Sequence, residues 1–547
     1  MALAACNGSI VAPSPSDPAL IFGNPPPIIE PGVIDPATDP EGDPNRVPTL
    51  AFVPAHASLR LLTTRQYQNS VRDLLGSGFA APALGGFSGS LAASQSGLSP
   101  QLVEAYETGA LTIAEQAFTD NARRQQLVGC DPSTSGCIDT YIRAFGHRVF
   151  RRPLSDEEVT RYQAVATSSG DAYQDAWKGA QMVLAAMLQS PNFIYRVELG
   201  VPTIGPTDLS FTDAELASRI SYALWNSTPD EELLGAVSNG TLADPAAVRL
   251  QVRRLLSHAN ASQGIEQFLI DWLNIDELSN LQKNATIFPQ FTPELSSAMR
   301  EELVRSLSGQ LLQPGVSALD LFEARDSYVN EPLAALYGIT GITGSAFQKV
   351  RLPDEQHRGG VLGKSGLMAI QATSVGTSPV GRGHLLRLMM MCQTIAPPKG
   401  LVPSLPAFDP SKPTTNRQRL ESHRSAPVCA GCHAQFDPIG LGLERFDAIG
   451  AFRTKEAGLD IDMSGTLEGE AFTDELGLNR AVRGNVRTPG CFVRQTYRYV
   501  TGHIESANEE IAIYDFKQRF SSNGYQFGPL LEDIVSHPSF RLATAPQ

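Results

Sequence analysis

Cys429-Ala-Gly-Cys432-His433 is the stretch that most constrains what this chain can fold around. Two thiols three residues apart can reach the two vinyl groups of one porphyrin. The next residue then offers an imidazole to the iron from the proximal side. A bare C-x-x-C would also fit a redox dithiol or half a zinc site. The adjoining His, with the export signals below, favours one covalently attached c-type haem. Zinc would need further ligands at comparable spacing, and His423 is the only one nearby.

A chain of 547 residues can hold two to four domains, and with 42% hydrophobic and 18% charged residues most of it is globular. The net charge of -14 comes without any Lys/Arg run, which argues against nucleic acid or an anionic membrane surface as the main partner. The 7 Cys are an odd count, and Cys6 stands apart from the rest. Leu3-Ala4-Ala5-Cys6 looks like a bacterial lipobox, although only five residues precede the Cys; small residues before a Cys also occur by chance. Val11 to Pro48 is rich in Pro, Gly, Asp and Ser, so it should be an extended linker. An exported protein is expected, in the periplasm or held at the outer membrane through a lipidated Cys6. No run of 18 apolar residues follows, so no transmembrane helix is expected.

The body reads as mainly α, several packed helical modules with a small β hairpin near the C-terminal haem module. Apolar spacing and caps predict helices over Leu61–Leu75, Ala105–Phe118, Tyr141–Arg151, Trp177–Gln189, Pro245–Ser257, Gly264–Leu273, Pro293–Leu312, Phe492–Val500 and Glu509–Phe520. Ser155 to Glu158 and Thr212 to Glu215 are capping boxes. Gly76 to Gly97 reads as a loop. Strand signals are scarce until Ile461 to Gly469, which reads as a hairpin. The divisions are 1–50, lipobox-like start and linker; 51–200, N-terminal modules; 201–345, central module; 346–455, haem module; 456–547, C-terminal module. Cys130 and Cys137 flank a turn-rich loop that a disulfide could close, two buried free thiols being the alternative. Cys392 and Cys491 remain, and a disulfide between them would staple the haem module to the C-terminal helices.

Several stretches resemble a family of large exported bacterial proteins, first catalogued from planctomycetes as serial domains of unknown function and often associated with cytochrome c modules. Leu62 to Gly76 resembles the first module and Phe145 to Leu154 the second. Ser190 to Glu198, Leu216 to Trp225 and Val329 to Gly338 resemble the central one. Thr377 to Gly383 and His423 to Arg453 resemble the haem-motif module, and Phe492 to Gly502 the C-terminal one. The resemblance implies an exported, mostly helical protein with a single haem, and no known substrate. Family members commonly carry a His shortly before the Thr-Ser-Pro motif. Here that stretch is Ala372 to Pro379, without His.

Around the motif, Cys429 and Cys432 would form the thioethers and His433 the proximal ligand. Its Nδ1–H needs an acceptor, for which the Pro438 carbonyl is a candidate, with Pro438 and Gly440 turning the chain under the porphyrin. Glu444 and Asp447 lie three apart, so a helix would put them on one face as acid/base groups beside the iron. The bland alternative is that Glu444 pairs with an Arg and Asp447 caps a turn. His423, at a position that resembles the family's, is the first candidate for the sixth ligand, or else an exposed helix His. His384 is the second; Met389, Met390 and Met391 read more readily as core, and Met463 is a further possibility, since a thioether would raise the potential. Arg382, Arg358 and Arg453 could pair the haem propionates, or be ordinary surface arginines.

Three functions compete. The body is far larger than the roughly 100 residues of a single domain that a carrier needs. That favours a haem oxidoreductase of unspecified substrate, working with a redox partner protein. An envelope electron-transfer cytochrome comes second, and a scaffold or binding protein with structural haem or zinc third.

Overall fold

The computed structural model describes residues 46–79, 97–203, 208–394, 413–423 and 427–545; of residues 422–423, 427–429 and 432 the backbone alone is described. The Cys6 segment, nearly all of the Pro-rich linker and most of the loop expected after Gly76 lie outside the described residues.

The fold is mainly α, with sheets of only two or three short strands, as expected. Local chemistry starts the helices where the sequence places them. Thr63, Ser155 and Thr212 each accept from the N–H three residues on, while Gln66, Glu158 and Glu215 reach back to the capping residue's own N–H. The helices that follow run Thr64–Leu75, Asp156–Tyr173 and Asp213–Trp225. Asn226 ends the last of these in the left-handed region, where Asn is tolerated. Pro245–Ser257 forms as expected, and Ala261–Leu273, Pro293–Leu311, Thr488–Thr501 and Glu510–Ser522 lie within a few residues of expectation.

Two large hydrophobic cores organise the described residues, with a small third cluster of Phe288, Ala448 and Ile449. The first is built from residues between Leu61 and Leu188 and from Phe193, Ile194 and Tyr222, with Tyr67, Ile113, Val149 and Leu184 fully enclosed. The second joins Ala57 to contributors from Phe211 to Ala543. At its centre Phe268, Trp272, Phe492 and Phe527 stack or meet edge to face, with ring centroids 5.4 to 5.9 Å apart. Ile439, in the helix Pro427–Leu441 that carries the motif, belongs to this same core, as do Leu385 before it and Leu467 after it. The motif is thus carried on a large packed body.

The strands need correction. Ser58–Leu61 pairs antiparallel with Tyr195–Glu198, Asp326–Val329 with Gln348–Arg351, and Asp208–Ser210 lies between Val201–Pro202 and Leu542–Thr544. These elements are two to four residues long, too short for alternation to register, and tertiary pairing decides them. The hairpin expected over Ile461 to Gly469 is displaced: Gly465–Leu467 pairs with Glu470–Phe472, and a second hairpin joins Lys455–Glu456 to Leu459–Asp460. Both turns have two central residues at positive φ, Glu468 (50°) with Gly469 (97°) and Ala457 (50°) with Gly458 (81°). That is the hairpin-favouring primed turn, hidden in sequence because neither first position is Asn or Asp.

Both expected disulfides are present, Cys130–Cys137 and Cys392–Cys491. The second closes a separation of 99 residues and ties the segment after the Thr-Ser-Pro motif to Thr488–Thr501. Replacing both Cys392 and Cys491 by Ser should cost about 4–5 kcal/mol in denaturant unfolding. Removing Cys130–Cys137, with a separation of 7, should cost less. Equal losses would contradict this loop-closure reading.

Candidate cofactor site

The motif lies in the helix Pro427–Leu441. On a helix, positions 429, 432 and 433 fall on one face. The side chains of Cys429, Cys432 and His423 lie outside the described residues; the backbone of His423 ends the preceding helix Asn416–His423.

The helix continues through Pro438, contrary to the expectation that Pro438 and Gly440 turn the chain. What those residues permit is contact. The helix Pro379–Leu385 packs directly on the motif helix. A Cβ on Gly383 would overlap the Phe436 carbonyl, and one on Gly440 the Pro379 carbonyl. Two glycines, one from each helix, let the backbones touch. Ser378 caps the first of these helices by accepting from the Gly381 N–H at 3.2 Å.

His433 is part-buried, and its ring meets that of Phe436 with centroids 5.0 Å apart. Its Nδ1 lies 2.9 and 3.1 Å from the two carboxylate oxygens of Asp437, one helical turn on. Asp437 is fully buried. The acceptor is therefore a carboxylate and not the Pro438 carbonyl. Sequence reasoning missed Asp437, although the i, i+4 spacing from His433 was a usable signal.

Glu444 and Asp447 do not share a helical face, because the helix has ended at Leu441 and a turn follows. Glu444 is buried at the centre of a network. Arg382 lies 3.5 Å from Oε1, Arg453 donates to Oε2 at 3.1 Å, and Thr377 and Asn416 donate to Oε2 at 2.8 and 2.9 Å. One carboxylate thereby joins the Thr-Ser-Pro segment, the helix Asn416–His423, the turn after the motif helix and the strand-bearing region behind it. Asp447 Oδ1 accepts from the N–H groups of Ile449 and Ala451, each at 2.9 Å. It thus caps a turn.

The three arginines are engaged by protein groups. Arg382, almost fully enclosed, donates to the carbonyls of Leu443, Phe446 and Asp447 at 2.7 to 2.8 Å. Burial, more than its neighbouring charges, lowers its pKa to about 10, and it stays charged at neutral pH. Arg358 donates to Gly363 and Gly450 carbonyls at 2.6 Å and lies over the rings of Tyr337 and Phe446. Arg453 keeps partial exposure. His384 lies in the helix Pro379–Leu385, half-buried, its pKa lowered by desolvation. Met390, Met391 and Met463 are buried, as befits core residues. Among the described residues no cluster of three or more His, Cys, Asp or Glu could hold a metal ion.

Four family models match the chain in series. They are PSD3 (protein of unknown function DUF1587) over residues 60–119, PSD5 (DUF1595) over 137–198, PSD4 (DUF1592) over 211–339 and PSCyt3 (DUF1588) over 358–456. The last takes in the helix Pro379–Leu385, the motif helix and the Glu444 network. No curated protein and no solved structure matches. Residues 60–456 therefore carry four of the planctomycete-type modules in series, and the cytochrome-named one spans the helix with the Cys-Cys-His positions.

Proposed function

We propose that this protein is an exported haem oxidoreductase that holds one c-type haem through Cys429 and Cys432, with His433 as the proximal ligand. The residues present fit that group: one helix carries all three positions, and Asp437 orients the ring so that Nε2 is the nitrogen to face iron. When bound, the haem would supply one-electron chemistry of the kind used with oxygen or peroxide.

The observation that carries the oxidoreductase reading is the buried Asp437 carboxylate on His433 Nδ1. A carbonyl acceptor would orient the ring. A carboxylate also draws the Nδ1 proton and makes Nε2 a stronger donor, which stabilises the oxidised metal. That suits a centre that reacts with an oxidant better than a high-potential carrier. Glu444, Arg382 and Asp447 hold the turn behind the motif helix, and Arg453, partly exposed, is the arginine best placed to meet a propionate as well. His423 is proposed as a weak sixth ligand, at the end of the adjoining helix. Both disulfides suit an oxidising compartment, and no described helix is long and apolar enough to cross a membrane. A lipidated Cys6 would then tether the protein, and a redox partner protein would supply or take electrons.

Production in an exporting host with haem maturation should give a haem-stained band on denaturing gels. The stain should be lost when Cys429 and Cys432 are changed to Ser; full zinc occupancy without stain would reject the assignment. The reduced protein should bind carbon monoxide, and a reduced spectrum indifferent to it would favour the carrier. Asp437→Asn should raise the midpoint potential by about 60–120 mV. This takes the ten- to hundredfold effect usual for such supporting residues at about 59 mV per decade. An unchanged potential would remove the argument from Asp437.

A further inference from the structure

The helix Glu475–Gly484 opens on a carboxyl that the chain encloses completely; Asn479, one turn on, is enclosed as well. Glu475 grips a turn. The Gly359 N–H donates to its Oε2 at 3.1 Å. Asn479 Nδ2 donates to Glu475 Oε1 and, at 3.0 Å, to the Gly359 carbonyl. The turn fits closely. A Cβ on Gly360, whose φ is 56°, would overlap the Phe322 carbonyl, and one on Gly359 the Leu476 and Arg325 side chains. Arg358, where this turn and the cytochrome-named match both begin, donates to the Gly450 carbonyl in the turn after the motif helix. Glu475 thus sits at a joint between that module and the chain that follows it.

Among the described residues Glu475 has no salt bridge, because the charges around it are engaged elsewhere. Lys364 faces Glu302 at 3.8 Å, and Arg358 donates to Gln356 and to the carbonyls of Gly363 and Gly450. Asp474 pairs with His357, Arg483 with Asp320 and Glu323, and Arg325 with Asp354. A carboxyl taken out of water without a salt bridge costs less neutral than charged.

We propose that Glu475 is a proton-operated clasp: it keeps its proton in the folded protein at neutral pH, and any opening of the joint that hydrates it releases that proton. Rising pH therefore loosens the hold of this helix on the turn at Gly359. Complete burial lifts the carboxyl to about 8, against the pull of Arg358 and of the helix start. With the folded value raised above 4.5, the stabilisation is complete below 4.5 and is lost as the pH climbs to about 8. The clasp does not depend on the haem reading.

The test compares the full chain with Glu475→Gln, which keeps the shape and cannot titrate. The ratio of the wild-type folding constant to that of the variant should fall about tenfold per pH unit between about pH 5 and 7.5, the effect of one proton, and level off above about 8. Protection of the Gly359 N–H against hydrogen exchange, corrected for the intrinsic rate, should fall over the same range in the wild type and stay level in the variant. The infrared band of a protonated carboxyl, present in the wild type at neutral pH and fading through about pH 8, reads the proton without any substitution. A folding ratio or a protection indifferent to pH, or no protonated carboxyl at neutral pH, would overturn the proposal.

Discussion

Glu444→Ala is expected to lower the stability of the protein by about 3–5 kcal/mol, the cost of breaking a buried ion pair by removing one partner. Arg382 and Arg453 would lose their shared counter-charge, and Arg382, almost fully enclosed, has no route to water. Thr377 and Asn416 would lose an acceptor. Glu444→Gln keeps the shape and one acceptor oxygen, so it should lose less. The segments joined by Glu444 are those around the motif helix, so loosening should also show as faster hydrogen exchange there than in the first core. A loss below about 1 kcal/mol, the range of exposed pairs, would mean that Glu444 is not the hub its contacts describe.

The same residue shows what was legible in the sequence. Its pairing with an arginine and the turn-capping role of Asp447 were one of two readings of the segment, and the contacts agree with that reading. Which arginine, and the roles of Thr377 and Asn416, could not be read. They come from segments 67 and 28 residues away, brought together by two helices that touch at Gly383 and Gly440. Helices were legible because caps and apolar spacing act within a turn or two: Ser155 with Glu158 and Thr212 with Glu215 both form as written. Pro438 misled because it was read, with Gly440, as turning the chain, whereas the helix carries both close to its end. The two disulfides were legible for a simpler reason. Five of the seven cysteines had other claims or a neighbour, which left few pairings to consider.

The strand Ser58–Leu61 was not legible, and it supports a cluster of three arginines on Glu198. Ser-Leu-Arg-Leu has no more β character than many loops, and Arg60 reads as a surface residue. Only pairing with Tyr195–Glu198 brings Arg60 onto Glu198. A buried charge in sequence resembles an exposed one, because the partner that permits burial lies 138 positions away or, in Arg219, 21 positions on.

Glu198→Gln is therefore expected to be among the most damaging single changes, and its cost should depend on pH. Burial alone would push the Glu198 carboxyl up, but Arg196, Arg219 and Arg60 outweigh it and hold the pKa at about 2, below the ordinary 4.5. A carboxyl with a lowered folded pKa binds its proton more tightly in the unfolded chain. Its contribution is complete above about pH 4.5 and is lost as the pH falls from there towards 2. The shift corresponds to about 3 kcal/mol at neutral pH. Glu505, held at about 2 against burial by Arg494 and Arg498, should weaken in the same window. Wild-type stability should thus fall on acidification from pH 4.5, whereas Glu198→Gln starts lower and falls less. Urea unfolding at pH 7, 5, 4 and 3 should show the two curves converging. Curves that stay parallel across this range would show that the three arginines do not depend on the charge of Glu198.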